Sequence, residues 1–217
     1  MSFGYNVEVA TIHFSSVEAT LDSPGVGILA ARLLSYAAAM DVIGESDAVQ
    51  TLSFDRLLAL GRRLARQTRI RSTTLVKLQE KGAQDPARLG AILGELYEEL
   101  EHSPAPDVEW KPLRSLLGQL LLARLLGISA SSVDRYESGA RGTPDDVAAR
   151  LHHVALIVSD LAGAYNEFGI RRWFDRPRTL LGGKSPKQLL GASWRPENEP
   201  ARRVRALAAS LSAPVAT

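Results

Sequence analysis

Between Gln119 and Arg141 the chain gathers small polar and basic side chains at helical spacing: Gln119, Ser129, Ala130, Ser131, Ser132, Arg135 and Arg141. A serine hydroxyl both donates and accepts, and an arginine fork fits a guanine edge or a phosphate oxygen. Small residues in the first turn of a helix, with an arginine one turn on, let that helix enter a DNA major groove and touch base edges. Gln119, at the start of the preceding helix, is placed to touch the DNA backbone beside the helix N-terminal amides. Arg141, beyond the second helix, adds a further phosphate contact.

Other chemistry has little to work with. His13, His102, His152 and His153 are the only imidazoles, and there is no cysteine. His152 and His153 are adjacent, so a helix sends them to different sides, and they lack the i, i+4 spacing of a shared metal. No His-Glu-x-x-His, phosphate loop or serine elbow occurs, and Gly25–Gly27 lacks the third glycine of a dinucleotide fingerprint. Glu98, Glu99 and Glu101 read as a solvated face. No catalytic residue, metal set or cofactor is expected, and the chain reads as non-enzymatic.

The elements around the polar set form a helical corner. Leu122, Ala123 and Leu126 face inward on the first helix, and Ala123 is small where two helices cross. Gly127 stands where the chain needs a positive φ, which glycine adopts at little cost. Ile128 plugs the corner and Ser129 is an N-cap. The next helix, Ala130–Ser138, buries Val133 and Tyr136 and ends at Gly139. Glu137 is expected to be an internal salt-bridge partner.

The whole chain has 217 residues, 45% of them hydrophobic, and a formal net charge of +2. Charge is unevenly placed: residues 1–50 sum to about −5 and residues 161–217 to about +6. A basic tail suits phosphate, or is simply a solvated surface. The N-terminus lacks a signal-peptide pattern, and the most apolar run, Gly25–Met40, carries Arg32 and is short for a bilayer span, so a buried helix and no membrane association are expected.

Periodicity predicts a mainly α fold, a helical bundle. Asn6–Phe14 alternates and suggests a short strand or extended arm. Leu29, Leu33, Tyr36 and Ala37 begin one stripe. Leu57, Leu58, Leu60, Leu64 and Ala65 form another, after a candidate N-cap at Ser53. Leu89, Ile92, Leu93, Leu96 and Leu100 line one face of a third helix. Ser103–Asp107, with two prolines, reads as a linker. Four segments result: 1–50, an acidic arm and apolar helix; 51–105, helical; 106–165, the corner; and 166–217, a small helical module.

Leu64–Pro86 echoes Leu122–Pro144 at an offset of 58 residues. Leu64, Ala65, Arg66, Ile70 and Pro86 are identical to Leu122, Ala123, Arg124, Ile128 and Pro144. Thr73, Thr74, Leu75 and Lys77 are similar to Ser131, Ser132, Val133 and Arg135, whereas Arg69 stands where the turn glycine would. Two explanations stay open: a second, degenerate corner, or two unrelated amphipathic helix pairs. If the repeat is real, Arg66, Arg69, Arg71 and Lys77 add basic DNA contacts or this half supports dimerisation.

The tail, Arg171–Gly191, alternates apolar pairs with special-geometry residues. Trp173 and Phe174 close one helix, Pro177 breaks the chain, and Leu180 and Leu181 re-enter the core. Gly182 and Gly183 turn it, and Ser185–Pro186 is a cap with proline at the first helical position. Leu189 and Leu190 then pack. A last helix from near Pro200 carries Val204, Leu207 and Leu211.

Two patterns carry a resemblance. Gln119-x-x-Leu122-Ala123-x-x-Leu126-Gly127-Ile128-Ser129, followed by Arg135-Tyr136-Glu137-x-Gly139, resembles the Xre/Cro helix-turn-helix. The spacing Trp173, Pro177, Leu181, Gly183, Pro186 and Leu190 resembles the toxin-binding domain of Xre/MbcA/ParS-type antitoxins. The resemblance covers about residues 110–217 and implies a cytoplasmic bacterial homodimer. Such a protein binds double-stranded DNA at its own promoter, represses its operon and neutralises a RES-type toxin, an NAD-consuming enzyme. By that analogy Arg171, Arg172, Arg178, Lys184 and Lys187 are candidate toxin contacts, while Gly127, Trp173, Pro177, Gly183 and Pro186 are structural. The same modules also suit a stand-alone transcription factor or an interaction scaffold. The first 105 residues lie outside the resemblance.

Overall fold

A computed structural model describes residues 16–42, 51–68, 72–80, 85–162, 164–191 and 193–212. The alternating stretch Asn6–Phe14, and Arg69 and Arg71, lie outside them. The described chain is mainly helical: α1 (Pro24–Ala39), α2 (Phe54–Gln67), α3 (Ser72–Gln79), α4 (Pro86–Glu101), α5 (Pro106–Leu117), α6 (Gln119–Leu126), α7 (Ala130–Glu137), α8 (Asp145–Ala162), α9 (Glu167–Asp175), α10 (Pro186–Leu189) and α11 (Glu199–Ser212). A two-residue parallel pair, β1 (Ser16–Val17) with β2 (Thr51–Leu52), tethers the chain ahead of α2.

Helix α8 is the axis. Nearly every residue from Val147 to Leu161 is buried, as expected of a helix covered on all sides. Helices α1, α5 and α11 pack on it, and α1 also packs on α4. The Gly25–Met40 run is thus a buried helix, with Val26, Ala30, Leu33, Tyr36 and Ala37 inside. Helix α4 buries the whole predicted stripe and starts cleanly, with Pro86 in its first turn and Asp85 accepting from the Arg88 amide at 3.0 Å.

One apolar cluster runs from Leu21 to Ala208. The four sequence segments therefore share a core, and their boundaries do not separate independent ones. The stretch expected as a linker shows why: Ser103 and Ala105 are buried. Its prolines stop α4 and start α5 in a tight connection, where Ser103 N donates to Leu100 O at 3.1 Å.

Two buried polar clusters bind the halves. Tyr36 Oη donates to Glu109 Oε1 at 2.8 Å, and His152 Nδ1 faces the same oxygen at 2.5 Å. His152 Nε2 meets Leu100 O at 2.9 Å, so α1, α4, α5 and α8 converge here. The second cluster centres on Arg205 of α11, which reaches Asp160 (3.2 Å), Glu101 (2.6 Å) and Tyr97 Oη (3.1 Å). Burial chiefly raises the Asp160 carboxyl, against the pull of the Arg205 charge. The adjacent histidines diverge: His153 Nε2 meets Ala201 O at 3.2 Å on the α11 side.

Ser53 sits at the start of α2 but makes no side-chain cap. Glu18 takes the role, accepting from Phe54 N at 2.8 Å, because the β1–β2 pairing brings it there. Leu180 is also not in the core: it is 72% exposed whereas Leu181 is 3% exposed. Both lie in one 3₁₀ turn, which cannot bury two successive side chains on the same side.

The 58-residue echo extends to the elements. Helices α3 and α7 begin at Ser72 and Ala130 and end at Gln79 and Glu137, so they coincide at that offset. Burial repeats as well: Leu64 and Leu122, Leu75 and Val133, Leu78 and Tyr136, and Leu93 and Leu151 are all inside. The matching α3 and α7 and the matching inward residues favour a repeat over two unrelated helix pairs, although α2 is one 14-residue helix where the second copy is broken between α5 and α6.

Candidate functional site: the α6–α7 corner

Gly118 (φ 77°) separates α5 from α6, and Gly127 (φ 66°, ψ 33°) ends α6 in the left-handed region. The turn is a Schellman motif: Ile128 N donates to Ala123 O at 3.0 Å and Gly127 N to Arg124 O at 3.3 Å. Ser129 then caps α7, accepting from Ser132 N at 3.1 Å. Val133 and Tyr136 are buried, and Trp110 stacks on Tyr136 with ring centroids 5.8 Å apart. Trp110 Nε1 donates to Thr143 Oγ1 at 2.9 Å, fastening the segment after α7.

The outward face carries the expected residues. Ser129, Ser131, Arg135 and Arg141 are exposed, and Ala130 and Ser132 are half-buried. The three serines share hydroxyl contacts of 2.8–3.0 Å around Ser129 Oγ, and Arg135 Nη2 donates to Ser132 Oγ at 3.2 Å. The face is pre-ordered and holds donors. Arg141 lies beside it, its guanidinium 5.8 Å from the Tyr136 ring centroid and its amide on Arg135 O at 3.0 Å.

Gln119 is turned inward along the corner rather than left free. Its Nε2 donates to Ala130 O at 2.9 Å and Asp134 Oδ2 at 2.8 Å, fixing α7 against the start of α6. Both hydrogens of its amide are thereby used and its carbonyl only accepts, so any donation to a phosphate at this point falls to the first amides of α6. Two residues escaped the sequence reading. Asp134 puts an acid on the exposed face, and Arg114 of α5 pairs with it at 2.7 Å while also pairing with Glu137. Glu137 is thus internal, as expected, and the hydrogen bond to it raises the Arg114 pKa further.

In the C-terminal stretch Trp173 and Phe174 are buried and meet edge to face at 5.3 Å. Gly182 (φ 67°) and Gly183 (φ 75°) close a loop in which Arg178 N donates to Lys184 O at 3.1 Å. Ser185 and Gln188 form a full capping box, with Pro186 buried behind it and Pro177 exposed ahead of the loop.

The five cations proposed as partner contacts divide. Arg171 bonds Leu116 O and Glu167, tying α9 to the end of α5, and Lys187 pairs with Asp175. Arg178 lies with its guanidinium 5.4 Å from the Trp173 ring centroid. Arg172 and Lys184 are exposed. Phe168 (62% exposed) lies under Arg172, and Leu180 (72%) sits on the loop. These apolar residues went unrecognised as surface features, because tertiary placement decides them.

Among the described residues there is no helix long and apolar enough to cross a membrane and no cluster of acids and histidines able to hold a metal ion. Comparison with protein-family models, curated proteins and solved structures gave no match.

Proposed function

We propose that this chain is a DNA-binding transcriptional regulator of the Xre kind, with α7 as the helix that enters the major groove. The observation that carries this is the α6–α7 corner itself. A left-handed glycine and a serine cap set two short helices across each other, and the outward face holds Ser131, Ser132 and Arg135. Those side chains are small or polar at the tip and basic one turn on, as base-edge contact requires. Arg114 offsets part of the carboxylate charge there, one guanidinium shared by Asp134 and Glu137.

The C-terminal module is proposed to bind a partner protein, a RES-type toxin by resemblance, through Arg172, Lys184 and the neighbouring Phe168 and Leu180. A homodimer would present two α7 helices to a palindrome. A nuclease footprint over the chain's own promoter tests the reading. The expected result is a pair of protected half-sites about 34 Å apart, one turn of duplex. No protection at low salt overturns it. Co-expression with a RES-type toxin tests the second half: a stable complex supports it, and separate elution overturns it.

A further inference from the structure

We propose that α2 makes a second, sequence-independent contact to duplex DNA, through Arg56, Arg62 and Arg66 along the phosphate backbone. The contact does not depend on α7 reading bases.

Helix geometry sets the face. At 100° per residue, Arg56, Arg62, Arg63 and Arg66 fall on one side of α2, opposite Phe54, Leu57, Leu60 and Leu64, which are buried. All four arginines are exposed. Arg56, Arg62 and Arg66 form no ion pair among the described residues, whereas Lys77 and Arg88 nearby are paired with Glu95 and Glu80. The arginines run for about 15 Å of helix. Duplex DNA offers a charge about every 1.7 Å of its axis, so such a row meets several phosphates at once.

The duplication says why the contact lies on α2. At the 58-residue offset residues 61–67 of α2 fall on α6 and residues 54–59 on the end of α5, and the first helix of such a corner crosses the backbone. The second helix, α3, has lost the means to read. Thr74, in the place of Ser132, is 2% exposed and donates to Glu99 at 2.8 Å. Lys77, in the place of Arg135, is held by Glu95 at 2.5 Å. Two of the three polar positions of α3 are thus engaged and only Thr73, in the place of Ser131, is left exposed, so phosphate contact by α2 is the main contact that remains.

The chemistry of the face selects the polyanion. A membrane-surface helix needs outward apolar residues to insert, and those of α2 are in the core. Single-stranded RNA is gripped by aromatic stacking, and the exposed positions of α2 hold only Asp55, Arg56, Ala59, Arg62, Arg63, Arg66 and Gln67.

Fluorescence anisotropy with two duplexes, the chain's own promoter and a scrambled sequence, provides the test. The wild type, a triple variant (Arg56→Gln, Arg62→Gln, Arg66→Gln) and Arg135→Ala are titrated between about 50 and 200 mM salt. The triple variant should weaken binding equally on both duplexes and flatten the log K against log salt slope by about 2.7, three phosphates' worth. The matching triple replacement by lysine should restore it, because lysine keeps the charge. Arg135→Ala should act on the promoter alone. A triple variant that binds both duplexes like wild type overturns the proposal, as does tighter binding to single-stranded RNA or phosphatidylserine vesicles than to duplex. If the wild type does not prefer its promoter but the triple variant still loses affinity, α7 reading fails and the α2 contact stands.

Discussion

The indole Nε1 of Trp194 donates a 2.7 Å hydrogen bond to the carbonyl of Leu125, 69 residues earlier. The end of α6 leaves carbonyls without helical partners. Ala123 and Arg124 are served by the turn itself, and Leu125 by this tryptophan from the C-terminal stretch. The C-terminal stretch and the α6–α7 corner are thereby joined at a buried atom. Trp194→Phe should destabilise the protein by about 2 kcal/mol, since it strands a buried acceptor. Urea denaturation checks this; an unchanged midpoint would deny the bond any weight.

The buried Tyr36–Glu109–His152 cluster sets a second expectation. Leu100 O only accepts, so the hydrogen of that contact is on His152 Nε2, and Nδ1 lies against Glu109 Oε1. Burial first, then the Glu109 charge, raises the Tyr36 phenol well above its usual range. Tyr36→Phe should cost about 1 kcal/mol. Glu109→Ala should cost about 3 kcal/mol or more, because His152 and Tyr36 are left buried and unmatched. Equal losses for the two variants in denaturant melts would contradict the shared role of Glu109.

His153 makes stability depend on pH. Burial, then the Arg205 charge, brings its imidazole from 6.5 to about 4. A lowered folded pKa means that the unfolded chain takes the proton first on acidification. The stabilisation is full above pH 6.5 and lost as pH falls toward about 4. The loss amounts to about 2 kcal/mol by about pH 5. His153→Gln keeps a donor for Ala201 O and should flatten the melting temperature between those limits. Identical slopes in variant and wild type would refute the assignment.

Gly127 holds φ 66°, a region that costs a side-chain-bearing residue about 1–2 kcal/mol. Gly127→Ala should lower stability by about that amount and loosen the angle between α6 and α7. Calorimetry measures the first effect and promoter affinity the second. A variant as stable as wild type would show that the corner is not set by this glycine.

Local chemistry was legible in the sequence. The α4 stripe, the turn at Gly127 and the caps at Ser129 and Ser185 all follow from neighbours within a few turns or from the geometry of the helix end. What escaped depends on residues far apart in the chain. Glu18 replaced Ser53 as the α2 cap because β1 pairs with β2. Arg171 and Lys187, candidate toxin contacts by resemblance, are engaged within the chain by Leu116 O of α5 and by Asp175. Asp134 stands among the serines, and its ion-pair partner, Arg114, lies on another helix. Ser103–Asp107 does connect α4 to α5, but its burial is not legible because proline marks a turn equally well inside a core and between domains.

The most direct measurement is the promoter-to-scrambled affinity ratio of wild type and Arg135→Ala at matched salt. A helix that reads base edges should give a wild-type ratio well above one. Loss of Arg135 should remove about 1–3 kcal/mol from the promoter complex and little from the scrambled one. A wild type that binds both duplexes equally, or an Arg135→Ala variant that weakens both alike, would contradict base reading by α7.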